Sequence, residues 1–520
     1  MPNRLLRVRW SKVFYLSNYK KGEFIKMDRT INESLIEADI ITLQAAMESG
    51  ALSSEACVRW YLERIEQLNP KLKAVLEVNP DAIKIAEALD AERRERGSRG
   101  PLHGIPILLK DNIDTGDRMH TSAGSIALAE HFASTDSAVA AQLRAAGTVF
   151  LGKANMTEWA NFMSSSMWAG YSSRGGLTLN PYGPGELFVG GSSSGSGVAV
   201  AANLCTAAIG TETSGSIISP SSQNGLVGLK PTIGLVSRAG IIPITHSQDS
   251  AGPMTRTVRD AAILLGAITA EDPEDVAMQD NGRIAYKDYT TFLDVNGLQG
   301  ARIGVPRHYY RDLDESRAVI IERAINLCKK HGAIIIDPVS LPCESSKWDW
   351  DVMRFEFKKG INDYLAKAGP GASVRTLDEL IAYNEANRDV ALKYGQDTLI
   401  WSNGTSGTLS EREYIESLRL NREVSRDQGI DHAIQEYRLD ALLFLGNEEG
   451  LDLSARAGYP AITVPGGYAE TGIIAEGGYT TKGPQGITFV GTAYSEPLLF
   501  RLAYAYEQAS KYRFAPTDPV

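Results

Sequence analysis

Three short stretches of this chain hold residue types that can move a proton or carry an acyl group. The first, Gly104-Ile105-Pro106-Ile107-Leu108-Leu109-Lys110-Asp111-Asn112, sets a lysine at the end of an apolar run. An ordinary lysine titrates near ~10.4 and is a poor base while charged. Desolvation disfavours the ammonium form, and the neutral amine can then take a proton from a serine hydroxyl. The plainer reading is a structural lysine paired with Asp111. The second stretch is Gly190-Gly191-Ser192-Ser193-Ser194-Gly195-Ser196-Gly197. Within it Gly191-x-Ser193-x-Gly195 matches a nucleophile elbow, with Leu187-Phe188-Val189 as the strand before it. That chemistry needs an acid and then a histidine downstream, and His246, His308, His331 and His432 are available. No Gly-Lys-Ser/Thr follows, which disfavours a phosphate loop. The third stretch is Gly210-Thr211-Glu212-Thr213-Ser214-Gly215-Ser216-Ile217. Consecutive amides in a tight turn can receive an oxyanion, and Gly215 permits the backbone such a turn needs. A simple Gly/Ser loop is the alternative. Ser17-x-x-Lys20 also matches a serine–lysine pattern, but it lies in a basic tail.

The elements around these stretches alternate. Ser53 or Ser54 caps a helix with Val58, Tyr61, Leu62, Ile65 and Leu68 on one face. Pro80-Asp81 starts another helix, which ends before Gly97. Ile105–Leu109 reads as a buried strand, Ser137–Ala146 as a helix, and Thr148–Leu151 as a strand. Gly170–Gly252 is rich in Gly and Ser and carries little charge. Its apolar runs Val198–Ile209 and Leu226–Leu229 argue for an ordered core with tight turns instead of a linker. Strand-like pieces at Ile303–Val305 and Ile334–Ile336 lie among charged helices over residues 290–440. Ala461–Val464 and Ile487–Val490 read as strands, and a helix over Glu496–Lys511 follows. Strands alternating with helices imply an α/β fold with a largely parallel sheet.

Composition narrows the classes. The chain has 520 residues, 43% apolar and 22% charged, enough to bury a large core. Lys plus Arg number 53 against 63 Asp plus Glu, so the net charge of −10 argues against a nucleic-acid partner. Cys57, Cys205, Cys328 and Cys343 show no C-x-x-C spacing and read as buried residues of a reducing, cytoplasmic compartment. No histidine pattern suggests a metal site, and no run of 18 apolar residues suggests a membrane span. Residues 1–27 form a basic tail that reads as disordered, in which Arg4, Arg7, Arg9, Lys12, Lys20, Lys21 and Lys26 face only Glu23. Residues 28–520 read as a single domain, with core motifs over 100–260 and a more variable helical part over 290–440.

Taken together the motifs resemble the amidase signature family. The resemblance rests on Gly104-x-Pro106-x-x-x-Lys110-Asp111, Gly190-Gly191-Ser192-Ser193 and Gly210-Thr-x-Thr-x-Gly215-Ser216-Ile217. It continues through Gly225-x-x-Gly228-Leu229-Lys230-Pro231-Thr232 and Gly252-Pro253-Met254. It implies a large mixed, mostly parallel central sheet covered by helices on both faces. It also implies a Ser-Ser-Lys triad: Ser216 as nucleophile, Ser192 in a cis peptide as bridge, and Lys110 as base. Backbone N–H groups of Thr213, Ser214, Gly215 and Ser216 are the implied oxyanion hole. Ser193, Ser194 and Ser196 become turn and hydrogen-bonding residues, Ser193 also a substrate-contact candidate, and Lys230 becomes structural. No cofactor and no metal are called for. Within the family the chain looks most like bacterial peptide amidases, through Thr157-Glu158-Trp159-Ala160-Asn161-Phe162, Ser173-Arg174-Gly175-Gly176, Gly234–Pro243 and Ala503–Glu507. The implied substrate is a small-molecule or peptide amide, handled by a monomer or homodimer away from membranes. The related alternatives are the glutaminase subunit of a tRNA-dependent amidotransferase and a general aliphatic or aryl amidase. Trp159, Asn161 and Phe162 are candidates to line a substrate groove, with core packing the alternative. Two departures bear on substrate choice. Ser214 stands where the family has Gly, or Asp in peptide amidases. Gly446-Asn447-Glu448-Glu449-Gly450 sets carboxylates near the expected rim, which would favour amine-bearing substrates.

Overall fold

The computed structural model describes residues 35–517, except 280–281, 348, 370, 447, 449 and 473–480. The basic tail 1–27 lies outside the described residues. Glu37–Val520 forms one compact unit.

Thirteen strands occur among the described residues. They are β1 (Val75–Val78), β2 (Pro106–Lys110), β3 (Val149–Ala154), β4 (Tyr171–Ser172), β5 (Gly176–Leu177), β6 (Ala207–Glu212), β7 (Val227–Lys230), β8 (Ser250–Thr255), β9 (Arg302–Gly304), β10 (Ile334–Ile336), β11 (Ala441–Leu445), β12 (Ala461–Ala469) and β13 (Gly483–Val490). β4 and β5 form a small ribbon. The rest make one sheet in the order β1-β3-β2-β6-β8-β7-β12-β13-β11-β9-β10. Every residue of β2, β3, β6, β11 and β13 is buried. Successive residues point to opposite faces, so burial of all of them means that both faces are covered by helices.

The large mixed, helix-covered sheet is the architecture that the resemblance implies. Its balance of strand directions is different. Parallel pairing is confined to β3–β2, β2–β6, β11–β9 and β9–β10. The other six pairings of the sheet are antiparallel. The alternation rule assumes a helical crossover between neighbouring strands. β7 reaches its neighbour β8 through residues 231–249, which contain no helix, so that pair runs antiparallel.

Local signals set the elements next to the site. Ser53 caps helix Ser54–Leu72 by accepting the Ala56 N–H at 3.0 Å. Helix Ala82–Arg96 ends before Gly97, and helix Ala138–Ala145 is capped by the Ser137 hydroxyl. The Gly/Ser-rich centre is core, not linker: helix Ser194–Ala201 is buried throughout and leads into β6. Gly195 is required there, because a Cβ would collide with the carbonyls of Ala74 and Asn155. Residues 187–189 form no strand, so the elbow around Ser193 lacks the element that would present it. The four cysteines are buried and unpaired. Among the described residues no helix is long and apolar enough to cross a membrane.

Candidate active site

Lys110 is the last residue of β2 and is wholly buried. Its Nζ donates to Ser192 Oγ at 2.8 Å, to Thr211 Oγ1 at 2.9 Å and to the Thr211 carbonyl at 3.1 Å. Burial brings its pKa down to about 7, against the opposing pull of Asp249 and Glu212. A large fraction of this amine is therefore neutral near neutral pH.

Ser192 follows a cis Gly191–Ser192 bond and is also wholly buried. Its carbonyl accepts the Thr157 N–H at 3.0 Å. The next residue, Ser193, donates its N–H to the Ser216 carbonyl at 3.1 Å, which ties the second glycine-rich stretch to the third. Ser193 Oγ is engaged by Thr211 through both the carbonyl and the N–H, at 3.0 and 3.2 Å. Ser193 is thus a strut between two loops, and its hydroxyl is not offered to a histidine. His246 lies on the surface with its side chain 58% exposed, 3.3 Å from Glu356. Ser194 Oγ donates to the Gly190 carbonyl and Ser196 Oγ to that of Ile209. Lys230 Nζ donates to the Tyr459 carbonyl at 2.7 Å, a structural contact.

Ser216 follows β6 at a turn in which Gly215 has φ +80°. Its side chain is nearly buried. Among the described residues the Ser216 hydroxyl makes no hydrogen bond, so Ser192 and Ser216 are linked through the Ser193 backbone and not hydroxyl to hydroxyl. Among the described residues the N–H groups of Thr213, Ser214, Gly215 and Ser216 also find no acceptor. Four adjacent free donors beside a serine hydroxyl form a nest able to receive an anion. Carboxylates hold the turn. Glu212 accepts the N–H groups of Ile217 and Ile218 at 2.7 and 2.9 Å. Asp249 accepts the Thr213 hydroxyl at 2.5 Å and the N–H groups of Ile244 and Thr245. Burial pushes Asp249 up to about 6. Asp452 accepts the Ser214 hydroxyl at 2.5 Å.

A cavity of about 760 Å³ adjoins the turn, with Asn112, Thr211, Thr213, Ile242, Asp249 and Tyr364 in its wall. Lys110, Ser192 and Ser216 are not part of that wall, and Lys110 meets it through Thr211. Trp159 and Phe162 belong to a buried apolar cluster with Phe357, and Phe162 lies 4.9 Å from the Phe357 ring. They pack the core and leave Ala160 as the cavity-lining residue of their segment, while Asn161 is exposed. Glu448 pairs with the nearly buried Arg317, so its charge is already answered. Asn447 and Glu449 lie outside the described residues.

Sequence reasoning passed over Thr211, Glu212, Asp249 and Asp452. Glu212 carried a usable signal, as a carboxylate within a nearly uncharged Gly/Ser segment. Asp452 carried none, because its partner lies 238 residues away.

Residues 56–444 match the Amidase family. The chain belongs to the amidase family. It is accordingly a hydrolase of amide bonds. A relative from Arabidopsis thaliana, named as a probable amidase, is 40% identical over 494 residues, covering 93% of this chain and 92% of that one. The structure of native peptide amidase from Stenotrophomonas maltophilia superimposes with a TM-score of 0.83 at 43% identity, covering 93% of this chain and 99% of that one. A glutamyl-tRNA(Gln) amidotransferase subunit from Syntrophobacter fumaroxidans is 32% identical, over 88% of this chain and 94% of its own length. The likeness to peptide amidase spans nearly the whole chain.

Proposed function

We propose that this amidase hydrolyses primary carboxamides, C-terminal peptide amides in particular, through Lys110, Ser192 and Ser216. One observation carries the reading. A fully buried lysine amine with a pKa near 7 sits 2.8 Å from a serine hydroxyl, on a loop bonded to the serine of a free-amide turn.

In this reading neutral Lys110 accepts the Ser192 proton while Ser192 accepts that of Ser216. The Ser216 hydroxyl, free of other bonds, turns toward Ser192 when substrate arrives. Ser216 Oγ then forms a bond to the amide carbon, and the carbonyl electrons move onto oxygen. The N–H groups of Thr213–Ser216 receive that charge, where one donor in such a hole contributes about 3 kcal/mol. The proton returns through Ser192 to the amide nitrogen, the C–N bond breaks, and ammonia leaves. Water then attacks the acyl-Ser216 ester by the same relay and releases the acid. Every proton moves between groups of this chain, the substrate and water, so the scheme calls on no cofactor.

The likeness to peptide amidase favours peptide amides as substrates. The likeness to the amidotransferase supports a second reading, in which glutamine gives up ammonia to a partner protein. Ammonia release from a panel of peptide amides, simple amides and glutamine decides between them. Hydrolysis of peptide amides by the isolated chain, with glutamine inert, is the expected result. Turnover of glutamine alone, dependent on added partner proteins, overturns it.

A further inference from the structure

The turn Thr213–Ser216 is fastened by three carboxylates from different parts of the chain. Glu212 grips the residues after it and Asp249 grips Thr213. Glu212 ends β6 and Asp249 stands just before β8. Asp452 comes from helix Leu451–Ala457, well over two hundred residues on, and holds the Ser214 hydroxyl at 2.5 Å.

The turn needs such fastening for a physical reason. Its four N–H groups lack protein acceptors among the described residues, and Gly215 at φ +80° gives the backbone freedom to rotate. A peptide that turns over would swing its N–H out of the site and its carbonyl oxygen in. Tethering both Thr213 and Ser214 by their side chains fixes the peptide between them. The charge on Asp452 is not itself useful, since a carboxylate near a developing oxyanion repels it. What helps is the acceptor oxygen at the right place. Arg456, one helical turn on, faces Asp452 electrostatically and offsets its charge.

We propose that Asp452 is a positioning residue for amide hydrolysis: by holding Ser214 Oγ it keeps the N–H groups of the turn aimed at the substrate carbonyl oxygen. The inference rests on Ser216 being the nucleophile. It gives Ser214 a role, for its hydroxyl ties the turn to Asp452.

The test measures kcat and KM separately on a hydrolysed amide, together with binding of a peptide aldehyde, which adds to a serine to give a tetrahedral oxyanion. Asp452→Ala and Ser214→Ala are each expected to lower kcat about ten-fold or more, with KM within about two-fold, since the lost contact serves the transition state. Aldehyde affinity falls alongside kcat. The double variant is no worse than either single one, because both remove one contact. Asp452→Asn keeps an acceptor oxygen and stays within about three-fold of the parent. Ser214→Ala deletes a single hydroxyl and carries the comparison if Asp452→Ala does not fold. Additive losses, losses confined to KM, or an Asp452→Asn enzyme as slow as Asp452→Ala would overturn the proposal. So would parental kcat in Asp452→Ala and Ser214→Ala alongside an inert Ser216→Ala enzyme, which leaves the nucleophile assignment standing. Turnover by Ser216→Ala overturns that assignment and the inference with it.

Discussion

Replacing Lys110 by methionine is expected to abolish hydrolysis and to stabilise the fold at neutral pH. The lysine is fully buried and its pKa falls from the ordinary 10.5 to about 7. The unfolded chain therefore binds more protons than the folded one between those two values. Stability contributed by this site is lowest below pH 7, rises with pH through the window, and levels off above about 10.5. With these two values linkage puts the penalty at about 4 kcal/mol at pH 7 and about 1 kcal/mol at pH 10. Methionine removes it but strips Ser192 Oγ and Thr211 Oγ1 of a donor, which costs roughly 1–3 kcal/mol. The net gain at pH 7 is then about 1–3 kcal/mol. The cleaner quantity is its pH dependence, because the lost bonds cancel between pH values. Denaturant unfolding of parent and Lys110→Met at pH 7 and pH 10 should give a stability difference that moves by about 3 kcal/mol against the variant as pH rises. A difference that stays flat with pH would refute the buried, readily neutralised amine on which the base assignment depends.

Five further outcomes follow from the same geometry. Ser216→Ala should lower amide turnover by about 10³-fold or more, as loss of a nucleophile does elsewhere, with the unfolding midpoint little changed. His246→Ala should keep parental turnover, since that side chain stands on the surface against Glu356; a dead His246→Ala enzyme would favour a histidine base. The neutral amine is the working form of Lys110, so kcat/KM should rise with pH through about 7 and then level off. Asp249→Asn keeps an acceptor for Thr213 but removes a charge that favours the ammonium, so that limb should move to lower pH. Gly195→Ala should yield little folded protein, because its Cβ meets two backbone carbonyls that cannot give way.

The parts of the site that follow from chemistry at short range were legible in the sequence. Lys110 stands at the end of the apolar run Ile107-Leu108-Leu109, which pointed to a dry setting beside the plainer reading of a lysine paired with Asp111. Gly215 before Ser216 marked a turn, and the apolar run Val198–Ile209 marked the centre as core. Residues whose role is fixed by distant partners were not legible. Trp159 and Phe162 share one aromatic segment with Asn161, and only the packing of Phe357 against them shows that they belong to the core. The same limit applies to strand direction. β7 and β8 each read as strands, but their antiparallel pairing depends on a connection without a helix, which local pattern does not reveal.

Strand direction also explains why the site lies where it does. β6 pairs parallel with β2 on one side and antiparallel with β8 on the other. The end of β2, the end of β6 and the start of β8 therefore meet at one edge of the sheet. Lys110 closes β2, the turn Thr213–Ser216 follows β6, and Asp249 precedes β8. An all-parallel sheet would send the start of β8 to the opposite edge and take Asp249 away from Thr213. Here the reversal also brings a carboxylate near the lysine that must lose its proton. Burial lowers the Lys110 pKa and Asp249 raises it, and the balance leaves the amine near neutrality in place of far below it. The strand reversal thus contributes to the proton affinity of the base as well as to the shape of the crevice.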